Sequence, residues 1–207
     1  MKRKIFCLIT ICIILSFHFD YAHCRYVLVD RSLAFVGEMV ILESDLEKYA
    51  CYVALRSEKP AESFRERDLL VKMIDEIVLV QEATKMGIAE DRADGVNEQN
   101  EKLKMMIDTQ SRWCKSVTLD ERYIADMAYN ESVVEKFIKT RIEVFIRIAE
   151  KDVYQYYLAK HGGDEEGYND DVKDRIREEL KTMLVNKELS DYLNRIKKRI
   201  EIVIPEE

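Results

Sequence analysis

Hydrophobic and polar positions divide the chain into two strand-forming ends and a long helical middle. The runs Val27–Val36 and Met39–Leu42 are short, apolar and joined at Gly37-Glu38, which predicts a β-hairpin. Near the other end, apolar and polar positions alternate over Arg199–Pro205, which predicts a last strand with one apolar face. Because a lone short strand is unstable in water, we expect it to pair with the hairpin and close the chain on itself.

Between these ends, apolar residues recur at the three- and four-residue spacing of helices. From Ser63 to Gly87 they form one broad stripe, and Gly87 followed by Ile88 fits a helix C-terminal cap with a hydrophobic contact after it. The predicted helices cover residues 44–57, 63–87, 91–107, 118–128, 130–150, 152–161 and 170–199.

The predicted helix starts carry a capping signature. In a capping box, a hydroxyl and a carboxylate three residues later satisfy free N–H groups of the first turn. Charged residues make up 35% of the chain while glycine and proline are few, so composition also favours helices. The fold class is therefore predicted as mainly α with a small antiparallel sheet. The matching starts are Ser44-x-x-Glu47, Ser63-x-x-Glu66 and Thr118-x-x-Glu121, with Asp152-x-x-Gln155 as a weaker version.

The first 24 residues are predicted to be a secretory signal peptide. Basic residues 2–4 precede roughly 15 apolar residues, fewer than the ~20 that span a membrane. Cleavage is expected before Arg25, which leaves residues 25–207 as the mature domain. Two alternatives stay open: Cys24 as a lipidated N-terminus, and an uncleaved leader as the membrane contact.

The charge of the mature chain argues against nucleic-acid partners. Removing residues 1–24 takes away three basic residues and Asp20, which leaves 30 basic and 39 acidic residues and a net charge of −9. Nucleic-acid binding needs a basic surface. The balance is ordinary for a soluble exported protein.

Candidate chemistry is sparse in this sequence. The mature chain has one histidine, His161, and its cysteines fit no zinc-site spacing, so we predict no metal site and no cofactor. Cys51 and Cys114 either pair in an oxidising compartment or remain separate half-buried thiols, because sequence alone does not show their distance. The acidic pairs Glu165-Glu166 and Asp170-Asp171 are expected to be solvated. No catalytic constellation is predicted.

Four segments resemble the SurA-type family of periplasmic chaperones. Residues 29–46, VDRSLAFVGEMVILESDL, are similar to the hairpin and first helix start of that family. Residues 70–88, LVKMIDEIVLVQEATKMGI, resemble its next signature helix. The later landmarks FIKTRI at 137–142 and DVYQYY at 152–157 follow in the same order. The resemblance covers most of residues 27–204.

The resemblance implies a helical chaperone module that the two chain ends complete. In the family, one or two parvulin-type prolyl isomerase domains usually follow the helix with the paired tyrosines. Here about a dozen residues separate Leu158 from the last helix, so no such domain fits. We therefore predict the chaperone module without the isomerase, and no enzyme.

The predicted function is an ATP-independent holdase in the periplasm, which binds unfolded or extended client proteins, outer-membrane proteins among them. The alternative is a non-catalytic helical assembly or scaffold partner of one exported protein. A homodimer that exchanges the end strands is also left open. Aromatic and methionine side chains give adaptable contact area for peptides, whereas most other methionines are expected in ordinary cores. The predicted peptide-binding residues are Met105, Met106, Trp113, Tyr154 and Tyr156.

Overall fold

The computed structural model describes residues 30–88, 108–114, 117–161 and 167–205. This part is mainly α-helical with one small antiparallel sheet, as the sequence predicts. Short 3₁₀ turns cover Ala61–Ser63 and Glu143–Phe145, and residues 108–113 are helical. Among the described helices, none combines the length and hydrophobicity of a membrane span. The strands are β1 (Ser32–Val36), β2 (Met39–Leu42) and β3 (Ile202–Val203), and the longer helices are α1 (Glu43–Ser57), α2 (Glu66–Lys85), α3 (Glu121–Arg141), α4 (Glu150–His161) and α5 (Asp170–Lys197).

The sheet joins the two ends of the described chain. Its strand order is β2-β1-β3, and both pairs are antiparallel. Gly37 opens the two-residue hairpin turn at φ +59°, which glycine adopts without a steric cost. The Gly37 N–H donates to the Glu201 carbonyl at 2.8 Å. The predicted pairing of the last strand with the hairpin is therefore confirmed, although β1 begins at Ser32 and residues 27–29 lie outside the described part.

Helix α2 lies at the centre of the fold, in contact with α1, α3, α5 and β1. Its apolar stripe buries Ile74, Val78 and Leu79. Each such side chain stabilises the fold by roughly 1.5–3 kcal/mol when fully buried. The stripe therefore anchors the sheet and the neighbouring helices around one element.

The end of α2 has the cap that the sequence predicts. The Gly87 N–H donates to the Thr84 carbonyl, and the Ile88 N–H donates to the Ala83 carbonyl at 2.9 Å. Gly87 has φ +70°, and Ile88 packs against the adjacent core. This is the Schellman arrangement, which satisfies the last carbonyls of a helix.

Three hydrophobic cores fill the described part of the molecule. The first lies between the inner face of the sheet and α2, α3 and α5, with Phe137 fully buried in it. The second joins α1 to the starts of α2 and α3. The third packs α4 on α5 around Val153, Tyr157 and Ile176. The first two cores meet at α2.

A disulfide joins Cys51 of α1 to Cys114. Their Cα atoms are 5.3 Å apart, inside the range that a disulfide needs. Both cysteines are buried in the second core. The sequence left open whether these cysteines pair or remain separate thiols, and in the structure they pair.

The predicted capping box at Ser44 is wrong because an upstream aspartate takes its hydroxyl. Ser44 Oγ donates to Asp30 at 2.5 Å, and its N–H donates to the same carboxylate at 3.2 Å. These bonds lower the pKa of Asp30. Helix α1 begins instead at Glu43, and Asp45 accepts from the Leu42 N–H at 3.1 Å.

The boxes at Ser63 and Thr118 are also wrong. Ser63 Oγ donates back to a carbonyl of the preceding turn, so α2 starts later, at Glu66. The cap of α3 is Asp120, which accepts from the Tyr123 N–H at 2.7 Å. A charged acceptor two residues closer to the helix thus replaces the hydroxyl.

Helix α3 joins two segments that the sequence predicts as separate helices. It continues through Asn130 and ends at Arg141, earlier than predicted. Met127 and Phe137 are buried on this one helix, so tertiary packing outweighs the polar sequence around Asn130. The predicted helix over residues 91–107 lies outside the described residues.

Candidate functional site

A groove of about 310 Å³ lies beside β2 and between α1, α2 and α3. The consecutive residues Met39, Val40 and Ile41 all line it. Successive strand residues point to opposite faces of a sheet, so a cavity that touches three in a row runs along the edge of the strand. We call this cavity the β2 groove.

Regular helical spacing supplies the other walls of the β2 groove. Residues three, four and seven apart share a helix face. The lining is mostly apolar and includes three methionines, whose flexible thioethers adapt to partners of different shape. The helical residues are Met73, Glu76, Ile77, Val80 and Gln81 from α2, Tyr123, Met127 and Asn130 from α3, and Asp45 and Tyr49 from α1.

Glu76 brings a largely buried carboxylate to this apolar groove. Its Oε2 accepts from the Tyr49 hydroxyl at 2.9 Å, whereas Oε1 is enclosed without a hydrogen-bond partner among the described residues. Burial raises the pKa of Glu76, and the Tyr49 hydrogen bond opposes this shift. The Tyr123 hydroxyl is also enclosed, and it has no partner in the described part of the chain. Two polar atoms at the groove therefore have unused hydrogen-bonding capacity.

A second cleft, of about 450 Å³, lies between α1, α2, α3 and α5, and we call it the tyrosine cleft. Tyr49 and Glu76 line both cavities. The Tyr52 hydroxyl donates to Glu131 at 3.0 Å, and Arg56 pairs with the same carboxylate at 3.0 Å. Burial raises the pKa of Tyr52 above its ordinary value. Glu131 is thus already paired, unlike Glu76 Oε1.

A third cleft, of about 350 Å³, lies beside the disulfide. Four glutamates and Arg31 stand around it, and Arg31 pairs with one of them, Glu43, at 3.4 Å. Trp113 packs against the second core nearby, with the Arg112 guanidinium 5.2 Å from its ring. The lining of this cleft is therefore acidic on balance and includes both cysteines of the disulfide.

The predicted peptide-binding residues do not form one described site. Met105 and Met106 lie outside the described residues. Trp113 packs against the second core, whereas Tyr154 and Tyr156 belong to α4. Tyr154 packs edge-on against Tyr168 at 5.2 Å between ring centres. The described members of the prediction are therefore distributed over two parts of the fold.

Tyr156 of α4 lies beside Met183 of α5, an exposed methionine. Its hydroxyl donates to Glu179 at 2.7 Å and lies 3.7 Å from the Met183 Sδ. An ion pair between Glu143 and Lys181 holds the turn of Phe145 beside α5, and Phe145 is 72% exposed. We call Tyr156 and Met183 the α4–α5 patch, and it is a second candidate contact surface.

The outer face of the sheet carries a row of exposed apolar side chains. Phe35 is directly opposite Val40 on β2 and Val203 on β3, so the three share one face. Their exposed fractions are 37%, 45% and 46%. The row adjoins the β2 groove through Val40, which belongs to both.

Sequence reasoning missed the β2 groove. Met39 is not among the predicted contact residues, and Met73 and Met127 read as ordinary core positions because each lies on an apolar helical stripe. The helical spacing of Met73, Glu76 and Val80 was a usable signal, since it places one carboxylate on an apolar face. What the spacing does not contain is the position of β2 against that face.

Comparison with known proteins gives no family for this chain. No protein-family model matches it, and no curated protein matches it. The resemblance to SurA-type chaperones therefore stays a prediction. Within the described residues, no group of three or more His, Cys, Asp or Glu is arranged to hold a metal ion.

Proposed function

We propose that the protein is an ATP-independent holdase that binds unfolded or extended segments of client proteins in the β2 groove. The observation that supports this proposal most directly is the groove itself, an apolar, methionine-lined cavity that runs along a strand edge. Adaptable thioethers suit clients of varied sequence, and an exposed strand edge suits extended chains. Binding of exposed client segments in this way keeps them from associating with each other.

The proposed compartment is the periplasm of a two-membrane bacterium. The basic and apolar leader predicts export. The Cys51–Cys114 disulfide supports the same location, since disulfides persist mainly in oxidising compartments. Outer-membrane proteins are the client class that the family resemblance suggests.

The test is suppression of aggregation. A chemically denatured client is diluted into buffer with the purified protein, and light scattering is followed over a range of molar ratios. We expect suppression at a few-fold molar excess without nucleotide. Unchanged scattering at all ratios would contradict the holdase.

Two matched substitutions locate the client site. Met39 and Met183 are both exposed methionines, at 46% and 53%, but only Met39 lines the groove. Losing an apolar contact of this size weakens binding by about fivefold. Met39→Ser should therefore raise the concentration that is needed for suppression by about that factor, while Met183→Ser leaves it unchanged. The reverse result would place the clients on the α4–α5 patch.

A dedicated scaffold for one folded protein is the second candidate. The row of Val40, Phe35 and Val203 favours it, because a flat apolar sheet face suits a preformed partner surface better than a single extended segment. A photo-reactive amino acid at Phe35 distinguishes the two. One stoichiometric cross-linked partner favours the scaffold, and a broad range of unfolded clients favours the holdase.

A further inference from the structure

We propose that the client segment binds the β2 groove as an added β-strand and places a lysine or arginine side chain against Glu76. This inference rests on the proposed function and names the chemical class of segment that the site takes: an extended run with apolar side chains at alternate positions and one cation among them. Backbone geometry supports the strand, and the enclosed polar atoms support the cation.

The outer edge of β2 has backbone groups at Val40 that no described strand pairs. The Gly37 N–H bonds to the Glu201 carbonyl, and Phe35 is paired with Val203, so these residues of β1 direct their backbone toward β3. Directions alternate along a strand. Val40, which lies opposite Phe35, must therefore direct its N–H and C=O away from β1, and no described strand pairs with β2 on that side.

The added strand is short. Beyond Val40, the Leu42 N–H is already bonded to Asp45 at 3.1 Å, which ends the free edge. The groove volume of about 310 Å³ is at the lower end for ligand sites. Both observations limit the bound segment to a few residues, whose alternate side chains enter the groove between β2 and the methionines of α2 and α3.

The charge of the groove selects a cation. Its described lining contains Asp45 and Glu76 and no lysine or arginine. Lys72, whose charge lowers the pKa of Glu76, lines the tyrosine cleft instead. Glu76 Oε1 and the Tyr123 hydroxyl are enclosed without a described partner. Unpaired buried polar atoms are costly, and a charged donor satisfies them strongly. An ammonium or guanidinium group that enters the groove beside Glu76 is a charged donor of this kind.

The experiment measures binding of labelled peptides by fluorescence anisotropy. The reference is a nine-residue peptide of alternating valine and serine with lysine at its centre. In one comparison peptide norleucine replaces the lysine, which keeps the length and removes the charge. In another, two adjacent central amides are N-methylated, so that neither edge can pair with a strand. We expect the lysine peptide to bind at least about tenfold more tightly than either.

Two protein variants provide the matched control. Glu76 and Glu131 each accept a hydrogen bond from a tyrosine hydroxyl, but only Glu76 lines the β2 groove. Glu76→Gln should weaken the lysine peptide by about tenfold and leave the norleucine peptide unchanged, while Glu131→Gln changes neither. Equal binding of the lysine and norleucine peptides, or of the methylated peptide, to the unaltered protein would overturn the inference, and that comparison does not depend on the folding of a variant.

The aggregation assay separates this inference from the proposed function. If the protein suppresses aggregation but does not prefer the lysine peptide, the holdase stands and the cationic strand site is wrong. If it prefers the lysine peptide through Glu76 but suppresses no aggregation, the site stands and the holdase is wrong.

Discussion

At the scale of single residues, Glu76 brings a largely buried carboxylate to the β2 groove. It lies on the central helix, lines two cavities and has one oxygen paired with Tyr49. The sequence shows a glutamate among apolar residues, which is typical of the edge of a helical stripe. The folded structure buries this carboxylate and brings the Tyr49 hydroxyl to it. Its pairing therefore depends on how α1 packs against α2, which is not contained in local sequence.

The raised pKa of Glu76 predicts a pH-dependent stability. Between the ordinary glutamate pKa of 4.5 and the higher folded value, the folded protein holds a proton that the unfolded chain has lost. The free energy of unfolding therefore falls as the pH rises through the folded pKa of Glu76. It recovers as the pH is lowered toward 4.5, because the buried carboxyl is then protonated and uncharged.

Urea unfolding of the unaltered protein and of Glu76→Gln at pH 5 to 8 checks this prediction. We expect the stability of the variant minus that of the unaltered protein to be smallest at pH 5 and to grow toward pH 8. The other carboxylates cancel in this difference. A flat difference would show that the Tyr49 hydrogen bond cancels the effect of burial on the pKa of Glu76, and an opposite slope would show that it outweighs burial.

At the scale of elements, the sequence predicted well wherever one local signal acts alone. The hairpin turn at Gly37 and the cap at Gly87 are correct because each needs a backbone conformation that glycine supplies. The predictions of helix starts were less accurate. At Ser44 the hydroxyl matches the capping pattern, but it donates to the charged Asp30 carboxylate instead. At Thr118 the hydroxyl also matches, but the charged Asp120 carboxylate caps the helix by accepting from the Tyr123 N–H.

The disulfide is an element-scale brace whose removal should cost stability. It closes a separation of 63 residues between α1 and Cys114. Cross-links of this kind stabilise by about 2–4 kcal/mol, chiefly by restricting the unfolded chain. Replacing both cysteines with alanine should lower the urea unfolding free energy by about that amount.

Dithiothreitol provides the control for this prediction. The reduced protein should lose comparable stability, whereas the alanine variant should not respond to the reductant. If the unaltered protein were equally stable with and without dithiothreitol, the cross-link would contribute nothing to the fold.

At the scale of the whole molecule, closure of the two chain ends decides where the groove is. Alternation in the last strand and the family resemblance both predicted that closure, and the β1–β3 pairing confirms it. The groove itself was not predicted, because it arises where β2, α1, α2 and α3 meet. Periodicity identifies the apolar face of each element, but the gap between faces depends on how all of them pack.

Two isoleucines at the closing strand test this closure. Ile202 packs against the first core, whereas Ile204 is 53% exposed. Ile202→Ser should therefore lower the free energy of unfolding by about 1–2 kcal/mol, and Ile204→Ser should change it by less than about 0.5 kcal/mol. Equal effects in urea unfolding would mean that the last strand does not close the core as described.

The central claim is that an extended client segment pairs with the free edge of β2, and amide hydrogen exchange at single-residue resolution tests it most directly. Val40 and Ile202 lie opposite the neighbouring residues Phe35 and Val36 of β1, and by the alternation of the ladder each directs its N–H to an outer edge of the sheet. Saturation with the lysine peptide should slow exchange of the Val40 amide by at least about tenfold, as expected for a new hydrogen bond, and leave Ile202 unchanged. Unchanged exchange at Val40 with the peptide bound, or slowing at Ile202 instead, would contradict the account.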